Sequence, residues 1–274
     1  MGKCKFCGKS AGLFKKVHNE CKLKNKQGLE ALEKKLDKFT EDNPCLIKID
    51  ELKEIANQSY IPLNKLDEIL VNKYVNLLDF FLDDGILTID EEKVLENFQN
   101  NLAISQDKLE AKDALSRTLR SAIIRDLING DEFKNRLNIS GNLPFKFQKN
   151  EYLVWLFQNV ELFEQRTKTT YEGSSQGLSF KITKGVYYRT SSFKGHPVKT
   201  TNIVPIAEGM LALTNKHLYF SSGLKSFRIK YEKIISIDPY SDGIGITKDG
   251  VTAKPQIFKN IDGWFIYNFI QNID

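Results

Sequence analysis

Cys4-Lys5-Phe6-Cys7 and His18-Asn19-Glu20-Cys21, ten residues apart, form the one stretch of this 274-residue chain that commits to a specific chemistry. Each pair has two residues between its ligands. The first places two soft thiolates on a tight turn, and the second adds an imidazole and a third thiolate. That donor set can close a tetrahedral Cys3His shell around zinc. Gly8, directly after the second cysteine, suits the turn because glycine takes positive φ without steric cost. Three of the four cysteines and one of the three histidines fall in these eighteen residues. A segment of about 25 residues buries too little apolar surface to fold unaided, so a staple is expected. Four protein ligands leave no open coordination position, which makes the expected zinc structural, not catalytic. The competing readings are three incidental thiols, or a C-x-x-C redox pair that lacks the βαβ surroundings such pairs use.

Working outward, charge divides the chain. Residues 1–40 carry 11 lysines against 4 acidic residues, +7; residues 41–143 carry 12 basic against 20 acidic, −8; residues 144–274 carry 17 against 11, +6, for a net +5. Composition, 41% hydrophobic and 27% charged, excludes a disordered chain. No apolar run approaches the length of a membrane span, and the lysine-rich start lacks the apolar core of a signal peptide. With few cysteines, most of them committed to metal, the expected setting is the reducing cytoplasm. Lys15, Lys16, Lys22, Lys24 and Lys26 around the zinc motif are candidate nucleic-acid contacts. A solvated zinc module, with Phe6 and Phe14 as its small core, explains the same residues.

The expected domains are a zinc finger over 1–28, a helical linker over 29–43, an all-helical domain over 44–143 and a β-rich domain over 144–274. From Leu29 the spacing of Leu29, Leu32 and Leu36 predicts a helix. Further helices are predicted over Leu46–Ala56, with Asp50 as a possible cap, and over Leu63–Phe81, after a break at Ser59-Tyr-Ile-Pro62. Thr88 with Glu91 reads as a capping box for a helix burying Val94, Leu95, Phe98 and Leu102. Helices over Ile104–Leu115 and Arg117–Asn129 complete the set, ending at Gly130 or Gly141. Arg117, Arg120 and Arg125 read as a basic stripe or as a salt-bridged face.

The turn Leu82-Asp83-Asp84-Gly85-Ile-Leu-Thr88 partly imitates a calcium loop, but Phe80 and Leu82 occupy its first ligand positions. The segment Asp84-Gly85-x-Leu87-x-x-x-Glu91-Glu92 instead resembles the inter-helix loop of TerB-like helical domains of bacterial stress systems, over some 60 residues.

At Leu143-Pro144 the hydrophobic period changes from 3.6 to 2. Tyr152–Phe157 reads as a buried strand, and short strands follow to Phe258, divided by Gly, Asn, Asp and Ser turns. Gly173–Gly177 is expected to be a flexible hairpin tip and Ser191–Thr200 a long loop. A final helix, capped by Asp262 and carrying Trp264, Phe265, Ile266, Phe269, Ile270 and Ile273, is expected to plug the open end of a small barrel. Met210-Leu-Ala-Leu-Thr-Asn-Lys-His-Leu-Tyr-Phe220 and Tyr231-Glu-Lys-Ile-Ile-Ser-Ile237 resemble the strand signatures of GRAM-type and bacterial PH-like domains. That resemblance covers residues 147–273. Taken whole, the chain resembles a bacterial family that joins a zinc finger, a TerB-like domain and a PH-like domain.

The expected fold class is therefore α+β multidomain: small zinc finger, all-α middle, and a C-terminal PH/GRAM-like barrel capped by a helix. PH-like domains bind phosphoinositides, peptides or proteins, so the resemblance implies a binding role. Lys184, Arg189, Lys194, His196 and Lys199 are the candidate contacts for an anionic lipid. No nucleophile and base are paired in the sequence: His217 reads as structural, and Cys45 as a half-buried thiol. The expected function is a non-enzymatic zinc-binding adaptor whose C-terminal domain binds a protein, peptide or anionic lipid. The alternative is a nucleic-acid-associated factor using the lysine-rich finger.

Overall fold

The computed structural model describes residues 2–12, 15–38, 47–131, 136–137, 139, 141–183, 186–250 and 253–273; the side chains of 167–183 and 186–201 lie outside the description. The chain is α+β and divides into two compact units, Met1–Phe133 and Lys134–Asp274. No helix among the described residues is long and apolar enough to cross a membrane.

The first unit begins with a ribbon of β1 (Gly2–Lys3) and β2 (Ser10–Gly12), followed by α1 (Asn19–Asp37). The helix starts ten residues before the expected Leu29 and runs through Gly28. It then contributes Leu32 and Leu36 to the same core as the helices that follow. Those are α2 (Ile49–Gln58), α3 (Leu63–Phe81), α4 (Ile89–Asn101), the short α5 (Gln106–Glu110) and α6 (Ala114–Asn129). Their apolar stripes meet in one cluster that includes Leu52, Leu70, Tyr74, Leu78, Phe98 and Leu109.

The break before α3 falls where Pro62 dictates it, with Pro62 as N-cap and Tyr60 at φ 55°. Asp50 is not the cap of α2: the N-cap is Lys48, and Asp50 lies within the first turn, where its charge complements the helix dipole. The Thr88–Glu91 capping box is present in full, the Glu91 carboxylate accepting from the Thr88 N–H at 2.8 Å. Glu91 is thus committed to the helix start. The segment after Ile104 gives one short helix, then a turn at Asp113 (φ 55°). The Glu110 carboxylate accepts from both the Ser116 N–H and its hydroxyl, which draws α6 back to begin at Ala114.

The three arginines of α6 are a paired set and not an exposed stripe. Arg117 meets Asp79 at 2.7 Å and Arg120 meets Asp113 at 2.8 Å. Arg125, with a side chain only 6% exposed, bridges Glu92 on α4 and Asp126 on its own helix. A guanidinium buried that deeply requires such partners.

The second unit is a seven-stranded antiparallel sheet: β3 (Leu153–Thr183), β4 (Val186–Thr214), β5 (His217–Ser221), β6 (Ser226–Lys230), β7 (Ile234–Tyr240), β8 (Gly243–Lys248) and β9 (Gln256–Lys259). Their spatial order is β6-β5-β4-β3-β9-β8-β7. The expected barrel does not close. β6 and β7 are consecutive in sequence yet end on opposite edges of the sheet. A single 3-10 turn, Tyr231–Lys233, joins them, and the Tyr231 hydroxyl is spent on the carbonyls of Thr214 and His217.

The strand expected at Tyr152–Phe157 does not stop there: it runs on through Val160 as one long strand, with an irregularity at Phe157/Val160. There Asn159 takes a φ of 55°, which breaks the alternation without ending the pairing. Gly173–Gly177 is not a hairpin tip, nor Ser191–Thr200 a loop: the register pairs Gly173 with Gly195 and Gly177 with Ser191. Continuous ladder pairing takes up the backbone groups that the two segments turn toward each other.

The last helix, α7 (Gly263–Asn272), packs against β7 and β8. Its N-cap is Asp262, whose carboxylate accepts from the Phe265 N–H at 2.9 Å. Phe265, Ile266, Phe269 and Ile270 are buried, and Phe265 meets the rings of Trp155 and Phe157. Trp264 departs from the expected buried face and is half exposed, one position off the stripe.

Candidate metal centre

The ribbon and the start of α1 build the site. Cys4 follows β1 directly; its N–H donates to the Lys9 carbonyl at 2.8 Å and its carbonyl accepts from the Gly8 N–H at 2.9 Å. Gly8 stands at φ 70°, so the turn that carries Cys7 back toward Cys4 needs the residue found there. His18 is the extended N-cap of α1, and Cys21 sits on the helix's first turn. The His-x-x-Cys spacing thus becomes a cap and a first-turn residue, which face the same side.

The ligand atoms of Cys4, Cys7, His18 and Cys21 all lie within 4.8 Å of one another, and this cluster could hold a metal ion. His18 Nδ1 is 3.3 Å from Cys7 Sγ and 3.7 Å from Cys21 Sγ. His18 Nε2 lies 2.9 Å from the Ser10 carbonyl, to which it can only donate. That bond puts the proton on Nε2 and turns the Nδ1 lone pair toward the sulfurs, as an outer partner does for a metal-bound imidazole. The donor chemistry and the convergence both fit a tetrahedral metal.

The thiols are electrostatically unequal. Burial disfavours the Cys4 thiolate, but backbone N–H groups of Cys7, His18 and Phe6 outweigh it and bring its pKa down to about 6. Burial, followed by the neighbouring Cys7 and Cys4 sulfurs, pushes Cys21 up to about 11. The Ser10 carbonyl, then the Cys7 thiol, raises His18. A cation among the sulfurs would offset both the burial and the neighbouring sulfurs that raise Cys21.

The head is tied to the helices behind it. The Phe6 ring stacks on Tyr60 with centroids 6.1 Å apart, and Asn25 Nδ2 donates to the Ser59 carbonyl at 2.9 Å. Four of the five candidate lysines, Lys15, Lys16, Lys22 and Lys26, are brought together with Lys5 around a groove of about 840 Å³ floored by Phe6, Leu23 and Leu29. Lys24 stands elsewhere, over the Tyr60 ring.

In the second unit the candidate lipid contacts are not tested: Lys184 lies outside the described residues, as do the side chains of Arg189, Lys194, His196 and Lys199. Cys45 also lies outside them. His217 has a buried role that its place in the hairpin hinted at, while its partner Glu151 gave no sequence signal. The Glu151 carboxylate accepts from Thr214 Oγ1 (2.6 Å), His217 Nδ1 (2.9 Å), Tyr219 OH (2.9 Å) and the Gln148 N–H (2.7 Å). Burial opposes its charge, but these donors prevail and hold its pKa down at about 2. No family model matches the chain, and no curated protein matches it.

Proposed function

We propose that the chain is a non-enzymatic, cytoplasmic interaction protein: a zinc-stapled head on a TerB-like helical body, followed by a PH/GRAM-like domain that binds a protein, peptide or anionic lipid. The observation that carries this reading is the closed donor set. Cys4, Cys7, His18 and Cys21 converge within 4.8 Å, so a bound zinc would have no position left for substrate. Cys21 stands on the same helix as Leu32 and Leu36, which are fully buried in the helical core. The metal would thereby brace the entry of α1 into that core.

The PH-like reading is supported by the sheet order, four strands β3 to β6 followed by β7 to β9 folded back beside β3, with the only helix of the unit's described residues after the last strand. Thiol labelling tests the structural role. In the zinc-loaded chain Cys4, Cys7 and Cys21 should resist a maleimide and become reactive on chelation. A metal that takes up added cyanide as a fourth ligand while the thiols stay protected contradicts it.

The basic groove favours a second reading, a nucleic-acid-associated factor. Five lysines beside an apolar floor with one ring, Phe6, offer charge for phosphates and a face for a base. Anisotropy with a single-stranded oligonucleotide should show affinity that falls steeply with salt and is lost in K15Q/K16Q/K22Q/K26Q. Salt-independent or unchanged binding removes this reading.

A further inference from the structure

The sequence points to no ligand site at the start of β5, yet the pairing of β5 with β6 builds one. The register sets His217 opposite Lys230 and Tyr219 opposite Arg228. Side chains directly across an antiparallel pair share a face, so all four stand on the same side of the sheet. Phe145, Phe147 and Glu151 close over Tyr219 and His217 on that side. A cavity of about 480 Å³ remains beside them, walled by His217, Arg228, Lys230, Lys233, Lys248 and Asp249.

Four cations face one carboxylate in this wall. Lys230 is also paired with Glu232 at 2.8 Å, and the Glu151 carboxylate stands against His217, so the local surplus is one positive charge. His217 is 4% exposed. Its Nδ1 is held by Glu151, itself fixed by Thr214, Tyr219 and the Gln148 N–H, which leaves Nε2 as the ring nitrogen for a partner in the cavity.

We propose that this cavity binds the phosphate of a phosphomonoester as its monoanion, with Arg228 as the planar fork, Lys233 and Lys248 as point charges, and His217 Nε2 accepting from the remaining P–OH. A phosphate monoanion matches the surplus of one, and unlike a carboxylate of the same charge it keeps a hydroxyl to donate to His217 Nε2. Guanidinium geometry suits two phosphate oxygens at once. The volume falls in the range of small-molecule sites and exceeds one phosphate, so the ligand carries an organic body. The site lies within the second unit and uses none of the metal ligands, so the zinc head need not be loaded for it to bind.

Phosphomonoesters reach a protein either as soluble metabolites or as the headgroup of phosphatidic acid. Titration of the full chain with phenyl phosphate tests the first, and co-sedimentation with phosphatidylcholine vesicles, with and without phosphatidic acid, tests the second. The expected result is binding that K233Q/K248Q weakens at least about tenfold, the loss of two charged contacts, while K15Q/K16Q leaves it within about twofold. R228Q provides the same readout on an independent residue should the double variant melt early. Retention of phenyl phosphate assigns a soluble ligand; retention only on phosphatidic acid vesicles assigns a headgroup. Equal binding by parent and K233Q/K248Q, or no binding of either probe, overturns the proposal.

Discussion

Gly28 of α1 and Ser59 at the end of α2 lie so close that a Cβ on Gly28 would stand 2.1 Å from the Ser59 Cβ. The approach lets Asn25, one turn earlier on α1, donate to the Ser59 carbonyl at 2.9 Å and brings Tyr60 under Phe6 of the metal-binding head. From the sequence this helix is expected to begin only at Leu29, which leaves Gly28 outside it. Here it is the residue that lets a helix pass another backbone.

G28A should therefore destabilise the first unit, although alanine favours helix by about 1 kcal/mol. Overpacking against a Cβ that cannot swing away costs about 1–3 kcal/mol and should prevail. Urea unfolding of G28A, S59G and G28A/S59G checks this: the double variant should recover most of the loss. An equally unstable double variant would place the cost elsewhere.

Arg125 joins Glu92 and Asp126 in the interior of the helical unit. R125M removes the cation and leaves two carboxylates with their main counterion gone, an expected loss of about 3–5 kcal/mol. Adding E92L should restore part of it, because one uncompensated charge then disappears. A stable R125M measured by chemical denaturation would show that the pair contributes little.

Glu151 gives the second unit an acid sensitivity. Its pKa falls from the ordinary 4.5 to about 2 in the folded chain. A depressed carboxylate contributes stability that is complete above 4.5 and is lost as pH falls through about 2. Near-UV circular dichroism, which reports the Tyr219 and Tyr231 surroundings, should show weakening across that window. E151Q should cost about 1–3 kcal/mol at neutral pH and flatten the response. The same pH profile in E151Q and parent would contradict the assignment.

Much of the local structure is legible in the residues themselves. Pro62, the Thr88–Glu91 pair, Gly130 and Asp262 act within one turn of where they stand, and each marks a boundary that the structure keeps. The metal cluster is legible for the same reason: its ligands come in pairs two residues apart, and short spacing fixes geometry. The barrel was misread because closure depends on where β6 and β7 end up relative to each other, which no local pattern encodes. Glu151 was missed because its side-chain donors lie more than 60 residues away, on β4 and β5. Arg117 and Arg125 could not be told from surface charges until α3 and α4 were seen to supply their partners, Asp79 and Glu92.

Metal content by mass spectrometry on the purified chain, beside C7S, addresses the central claim most directly. The purified chain should carry one zinc, absent from C7S, whose loss removes hydrogen-exchange protection over residues 2–12 and 15–21 and at the Phe6–Tyr60 contact. A metal-free parent chain that keeps this protection would contradict it.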